Sequence, residues 1–283
     1  MGLQEAFDSV ILENFLSNNN FLNFALRKVG IPVLRNFSGV KLFEDFCDKN
    51  LTGLSLSRKP EDLNFFLSQA GITIRVHQDG QIDFTNKKVM IVSNHPTGPS
   101  DSIFIHKAFH SLGICGKILG DDIMNSVPQM KDSYIGLSTR NEGKSRIAQL
   151  RRLKKELQSG TNLSLFPSGS VSKFNFKKFS ITEDWNTGFL EIAKSNNMFI
   201  VPVYISANLS PLHYLFKEIH DDISSLRLFR ESLSFVKKNR GEILDLYIGD
   251  PIDPLEIESN QEEADKIRNI CENLKYQHYK SVK

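Results

Sequence analysis

From about Glu5 to Leu51 the apolar positions recur at helical spacing, with Phe7, Val10, Ile11 and Phe15 in one stripe and Phe21, Leu22, Ala25, Leu26 and Val29 in another. Such stripes predict helices that either pack on a domain or lie on a lipid surface. Pro60 followed by Glu61 and Asp62 predicts a helix start, carried through Leu63, Phe66 and Leu67 to a stop at Gly71. Beyond Gly71 the pattern changes. Short apolar runs at Ile72 to Val76, Val89 to Ser93, Leu163 to Phe166, Phe199 to Ile205 and Leu244 to Ile248 predict strands. Between them Ser102 to Leu112, Lys144 to Gln158 and Trp185 to Ser195 predict helices. Ile267, Ile270, Cys271 and Leu274 mark a last amphipathic one. Strands that are apolar almost throughout suit a sheet covered on both faces. The expected fold is therefore α/β: a mostly parallel central sheet covered by helices, preceded by an N-terminal helical segment. Residues 1–70 are expected to form that helical segment, packed on the catalytic domain or on membrane, and residues 71–283 the α/β domain.

Composition narrows the class. The chain has 283 residues, 40% hydrophobic and 24% charged, with no tract long enough to serve as a flexible linker. A net charge of +2 lacks the whole-surface basic field of nonspecific nucleic-acid binding, so no nucleic-acid partner is expected. Cys47, Cys115 and Cys271 are far apart and form no CxxC pair, which reads as reduced thiols in a cytosolic protein. Glu5 and Asp8 stand where a secretory signal needs Lys or Arg. No window reaches the ~20 apolar residues that cross a bilayer. The expected location is cytoplasmic, and any membrane contact is peripheral.

The stretch from Val89 to Asp101 carries the most chemistry. A buried strand runs into a Pro/Gly turn and then opens a helix, bringing Asn94, His95, Gly98 and Asp101 to the carboxyl end of a strand, where α/β sheets place their sites. A histidine there can take a proton from an attacking hydroxyl, and a neighbouring carboxylate can hold its tautomer and stabilise the imidazolium. The alternative is plain structure, with His95 ending a strand and Asp101 capping the next helix.

The order of four segments extends this. Asn94-His95-Pro96 through Asp101 is followed by Tyr134 to Arg140, by Phe166-Pro-Ser-Gly-Ser-Val-Ser172 and by Val201 to Ile205. Together they resemble the four motif blocks of the lysophospholipid (glycerolipid) acyltransferase superfamily. Asp184 to Gly188 and Ile248 to Ile252 continue the likeness toward its bacterial ornithine-lipid-type and hemolysin-like subgroup. The resemblance implies a catalytic pair of His95 and Asp101, and an acyl group moved from an acyl carrier protein or coenzyme A thioester to a lysolipid hydroxyl. It implies no metal and no bound cofactor. Asn94, Gly98, Arg140, Phe166, Pro167, Gly169 and Ser172 are the expected substrate-binding residues, with Arg140 holding the acceptor's anionic group through its guanidinium fork.

Two departures stand out. Five residues separate His95 from Asp101 where the family commonly has four, a longer turn that the named subgroup resembles. The third block has Ser168 and Val171 where glycerol-phosphate acyltransferases usually carry Glu and Arg, so two charged acceptor contacts are missing. Directly after it, Lys173, Phe174, Phe176, Lys177, Lys178 and Phe179 interleave rings and cations, the composition expected at an anionic membrane surface. Two other readings compete. One is a metal-dependent hydrolase built on Asp101, His106 and His110, for which no HExxH glutamate or third ligand is placed. The other is a lipid-binding module of the same fold without turnover.

Overall fold

The apolar runs form strands β1 (Thr73–Gln78), β2 (Lys88–Ser93), β3 (Gly116–Gly120), β4 (Tyr134–Gly136) and β5 (Asn162–Leu165), then β6 (Lys173–Asn175), β7 (Ser180–Thr182), β8 (Met198–Ser206) and β9 (Ile243–Ile248). The helices are α1 (Ile31–Ser38), α2 (Val40–Leu51), α3 (Pro60–Ala70), α4 (Asp101–Ser111), α5 (Lys144–Gln158), α6 (Gly188–Asn196), α7 (Asp221–Lys238) and α8 (Gln261–Ser281). This computed structural model describes residues 2–8, 28, 30–80, 83–137, 144–175, 180–209, 213 and 221–281.

Seven strands make one sheet in the order β1-β9-β8-β2-β5-β3-β4, and β6 pairs with β7 in a separate antiparallel hairpin. Every contact in the large sheet is parallel except that between β8 and β9. The chain is thus α/β, with a mostly parallel sheet between helical layers. One face, with Val89, Ile91, Val201 and Val203, packs on α2, α3, α4 and α7. The other, with Met90, Val92, Leu163 and Ile200, packs on α5, α6, Trp185 and α8. Burial on both faces explains the unbroken apolar run of β2, whose residues from Val89 to Ser93 are all fully buried. β2 lies between β5 and β8, so the carboxyl ends of these three parallel strands open on one edge of the sheet.

The helices predicted at Ser102, Lys144 and Pro60 fall within a residue of their observed starts. The one predicted from Trp185 begins at Gly188 instead, because Trp185 is buried and its carbonyl accepts from Gln261 of α8 at 3.0 Å. β3, β4, the β6–β7 hairpin and α7 are absent from the sequence-based expectation.

α7 joins the N-terminal helices to the sheet. Phe229 lies 5.1 Å from Phe43 and 6.4 Å from Phe7, ring centre to ring centre. Arg230 donates to the carbonyls of Phe37 (3.0 Å) and Asn36, capping the end of α1. The turn between α1 and α2 needs Gly39 twice over: its φ is +75°, and an added Cβ would stand 2.8 Å from Arg230 Cβ. Among the described residues no helix is long and apolar enough to cross a membrane.

Phe229→Ala should remove the hinge of this packing. The expected loss is about 3–5 kcal/mol of unfolding free energy, read from the midpoint of a urea titration. A loss under about 1 kcal/mol would show that α2 and α7 do not share a core.

Candidate active site

β2 ends at Ser93, and the next residue ties the strand ends together. Asn94 accepts from the Ile205 N–H (2.8 Å) and donates to the Ile205 carbonyl (3.0 Å), standing in for a further pair of ladder bonds between β2 and β8. The amide of Asn94, expected at the substrate, is thus engaged on β8. His95 follows, beyond the carboxyl end of β2.

His95 Nδ1 lies 2.8 Å from Asp101 Oδ2. The aspartate side chain is fully buried, while His95 keeps 19% of its side chain exposed. Two more donors meet the carboxylate. The Thr97 N–H reaches Oδ2 at 2.9 Å and Oδ1 at 3.2 Å, and the Thr97 hydroxyl donates to Oδ1. A buried charge without such partners would be too costly to keep. The longer turn between His95 and Asp101 serves this arrangement, since it brings Thr97 back over the carboxylate. Gly98 makes the reversal possible with φ +70°, and an added Cβ would come within 3.1 Å of Leu228 on α7. Ser100 and Ser232 join the same turn to α7.

The imidazole is also held through its face. Phe166, just past β5, stacks on it with ring centres 3.9 Å apart and planes 13° apart. Its observed role is to fix the His95 ring. Pro167 is buried, and its carbonyl accepts from the main-chain and side-chain nitrogens of Asn186 at 3.0 and 3.1 Å. Gly169 takes φ +64° in an exposed turn, its N–H donating to the Phe166 carbonyl at 2.9 Å. Ser172 is buried, its N–H donates to the His95 carbonyl at 2.9 Å and its hydroxyl to Glu183. The N–H groups of Gly169 and Ser172 are thus used within the fold. Ser168 turns back onto the Ser170 carbonyl at 2.7 Å, and Val171 is buried beside Gly98.

Glu183, not singled out in the sequence, lies directly behind the histidine. Its carboxylate accepts from the His95 N–H at 2.6 Å, from the Ser172 hydroxyl and from the Trp185 indole at 3.2 Å. Burial pushes its pKa up against the pull of those donors. The acidic residue beside a Trp in a loop was its only signal.

Arg140 lies outside the described residues, as do Phe176, Lys177, Lys178 and Phe179. Lys173 is exposed at the start of β6, and the backbone of Phe174 continues that strand. Tyr134, which opens the second block, is buried at the start of β4, its phenol hydrogen-bonded to Ser102 and pushed above its usual pKa by burial. His106 is 2% exposed, and burial drives its pKa down to about 3, so it stays neutral within the core. Among the described residues no three His, Cys, Asp or Glu side chains cluster as metal ligands would.

A histidine oriented by a buried carboxylate at the open end of a parallel sheet is a base for transfer chemistry. Residues 73–206, which hold this pair, match the family model described as Acyltransferase. The domain is that of an enzyme that transfers acyl groups. No curated protein matches the chain. A solved structure with a related course is the 1-acyl-sn-glycerophosphate (LPA) acyltransferase PlsC from Thermotoga maritima. It is 14% identical, with a TM-score of 0.46 over 89% of this chain and 97% of that one. That likeness is too loose to transfer residue roles.

Asp101→Asn should test the pair while preserving its shape. Two Thr97 donors would select the amide oxygen and turn the NH2 toward Nδ1, which would move the imidazole proton to Nε2 and remove the base. Acyl transfer should fall by about 10² or more with an unchanged circular dichroism spectrum. Near-normal turnover would leave Asp101 a helix-capping residue.

Proposed function

We propose that the protein is an O-acyltransferase of glycerolipid type, moving a fatty acyl group from an acyl carrier protein or coenzyme A thioester to the hydroxyl of a lysolipid during membrane lipid synthesis. The observation that carries this reading is the imidazole fixed on buried Asp101 inside a domain matched by the acyltransferase model. With Nδ1 on Asp101, Nε2 is the nitrogen that takes the acceptor's proton. The freed oxygen attacks the thioester carbonyl, the C–S bond breaks as the tetrahedral intermediate collapses, and the imidazolium returns the proton to the departing thiolate. An ester and a thiol result. Asp101 stabilises the imidazolium between those steps.

The ordered motif blocks favour the ornithine-lipid-type subgroup and an acceptor that is a lysophospholipid or lyso-aminolipid. Arg140 is assigned the acceptor's anionic group. Because such an acceptor resides in a bilayer, the enzyme works at the cytoplasmic membrane face. The ring and lysine run from Lys173 to Phe179 is the assigned contact, each lysine adding about 1 kcal/mol at an anionic surface.

Purified protein given a long-chain acyl-coenzyme A, or the acyl carrier protein thioester, and a panel of lysolipids should release free thiol only with its acceptor. His95→Ala should abolish that release by ~10² or more. Binding of lipid without thiol release by the wild type would favour a module that keeps the fold without turnover. Arg140→Ala should raise the acceptor's KM more than the donor's, since it removes a contact to one substrate. Equal changes in both would assign Arg140 to structure.

A further inference from the structure

His95 is held by its main chain as firmly as by its ring. Its N–H donates to Glu183 Oε1 at 2.6 Å, and its carbonyl accepts from the Ser172 N–H at 2.9 Å. The Ser172 hydroxyl donates to the same Oε1, and the Trp185 indole to Oε2 at 3.2 Å. Glu183 is only 9% exposed. Three donors converge on it, which is the environment of an ionised, acceptor-only carboxylate. The geometry also closes a ring of contacts: Glu183 to the His95 N–H, the His95 carbonyl to Ser172, and Ser172 back to Glu183.

We propose that Glu183 is a positioning residue for acyl transfer, its ionised carboxylate fixing the His95 main chain to the third motif block and placing a negative charge behind the imidazole. This rests on the reading of His95 as the base. An ionised acceptor makes the stronger hydrogen bond, and a charge there favours the imidazolium that forms as the acceptor loses its proton.

Stability alone does not account for the carboxylate. Burial raises the Glu183 pKa although Ser172, His95 and Trp185 all pull it down. A carboxyl whose folded pKa lies above its unfolded one binds its proton more tightly in the folded chain. The stability it contributes is complete below the unfolded pKa and is lost as pH rises through the folded one. Ionisation therefore costs stability, while a glutamine would keep an oxygen for His95 and Ser172 but set its NH2 against the Trp185 indole N–H. The ionisable and charged neighbours are His95 at the end of β2 and, from α8, Arg268 and Cys271. The Arg268 guanidinium donates to the Glu183 carbonyl at 3.0 Å, and the Cys271 thiol is buried. A carboxylate retained at a cost beside a catalytic pair follows the pattern of a functional group.

The test is Glu183→Gln in the full chain, assayed by thiol release from a long-chain acyl-coenzyme A with the lysolipid that the wild type accepts. The expected result at pH 8 is a kcat lower by roughly 10-fold or more, with both KM values within about twofold. The ratio of wild-type to variant kcat should shrink as pH falls, because the wild-type carboxyl then becomes neutral as well. A kcat within about twofold of wild type, or a wild-type to variant ratio that does not change with pH, as a mere brace would give, overturns the proposal. If the glutamine variant does not fold, Ser172→Ala removes one donor and leaves the carboxylate. A kcat about fivefold lower is expected there, the worth of one hydrogen bond, and an unchanged kcat overturns the proposal. A wild type that consumes no thioester with any acceptor overturns the reading of His95 itself, a result distinct from a fully active glutamine variant.

Discussion

Asp101 carries a charge at a place where water does not reach it, and much of the site follows from neutralising that charge. The carboxylate sits at the first residue of α4, where the helix dipole favours an anion, but a dipole leaves lone pairs to fill. Thr97 fills them from one side with its N–H and hydroxyl, and His95 from the other with Nδ1. For Thr97 to turn back over a residue four positions ahead, the chain must reverse at Gly98 in a left-handed conformation. At that reversal an added Cβ would press on Leu228. One buried charge thus dictates the turn, the glycine and the seat of α7 upon it, and fixes which imidazole nitrogen faces the crevice.

Glu183 mirrors this arrangement from the opposite side of the histidine. Asp101 orients the ring through a side-chain contact within one motif block, whereas Glu183 grips the main chain across 88 residues of sequence. Between them His95 has its N–H, carbonyl, Nδ1 and ring face all fixed, the last by Phe166. An imidazole immobilised in this way would lose little entropy on acting as a base. The two carboxylates differ in setting: three donors from one turn and its ring surround the first, and donors from three separate segments surround the second.

What the sequence made legible follows the range of each interaction. β2, β5 and β8 were readable because burial on both faces writes an unbroken apolar run, and the His95 to Asp101 pair because both members lie in one turn. β3, Gly116–Gly120, escaped because a lysine and two glycines dilute its apolar signal, and β4 because three residues make no period. Glu183 was invisible for a different reason. A carboxylate in a loop beside Asp184 looks solvated until tertiary contacts bring His95, Ser172 and Trp185 around it. The bonds from Asn94 to Ile205 were likewise beyond the sequence, because only the position of β8 brings its partner to it.

The third motif block shows how the same scaffold can be turned from substrate binding to support. Ser168 closes a local turn on Ser170, and Val171 is buried against the Gly98 reversal, where an arginine would have to bury its charge or displace the turn. Ser172 spends both donors on His95 and Glu183. This segment gives apolar and hydroxyl packing beneath His95. On the proposed function, recognition of an anionic acceptor falls to Arg140 rather than to this block. That reading divides headgroup selectivity and the placement of His95 between different segments of the chain, so a change in one need not disturb the other.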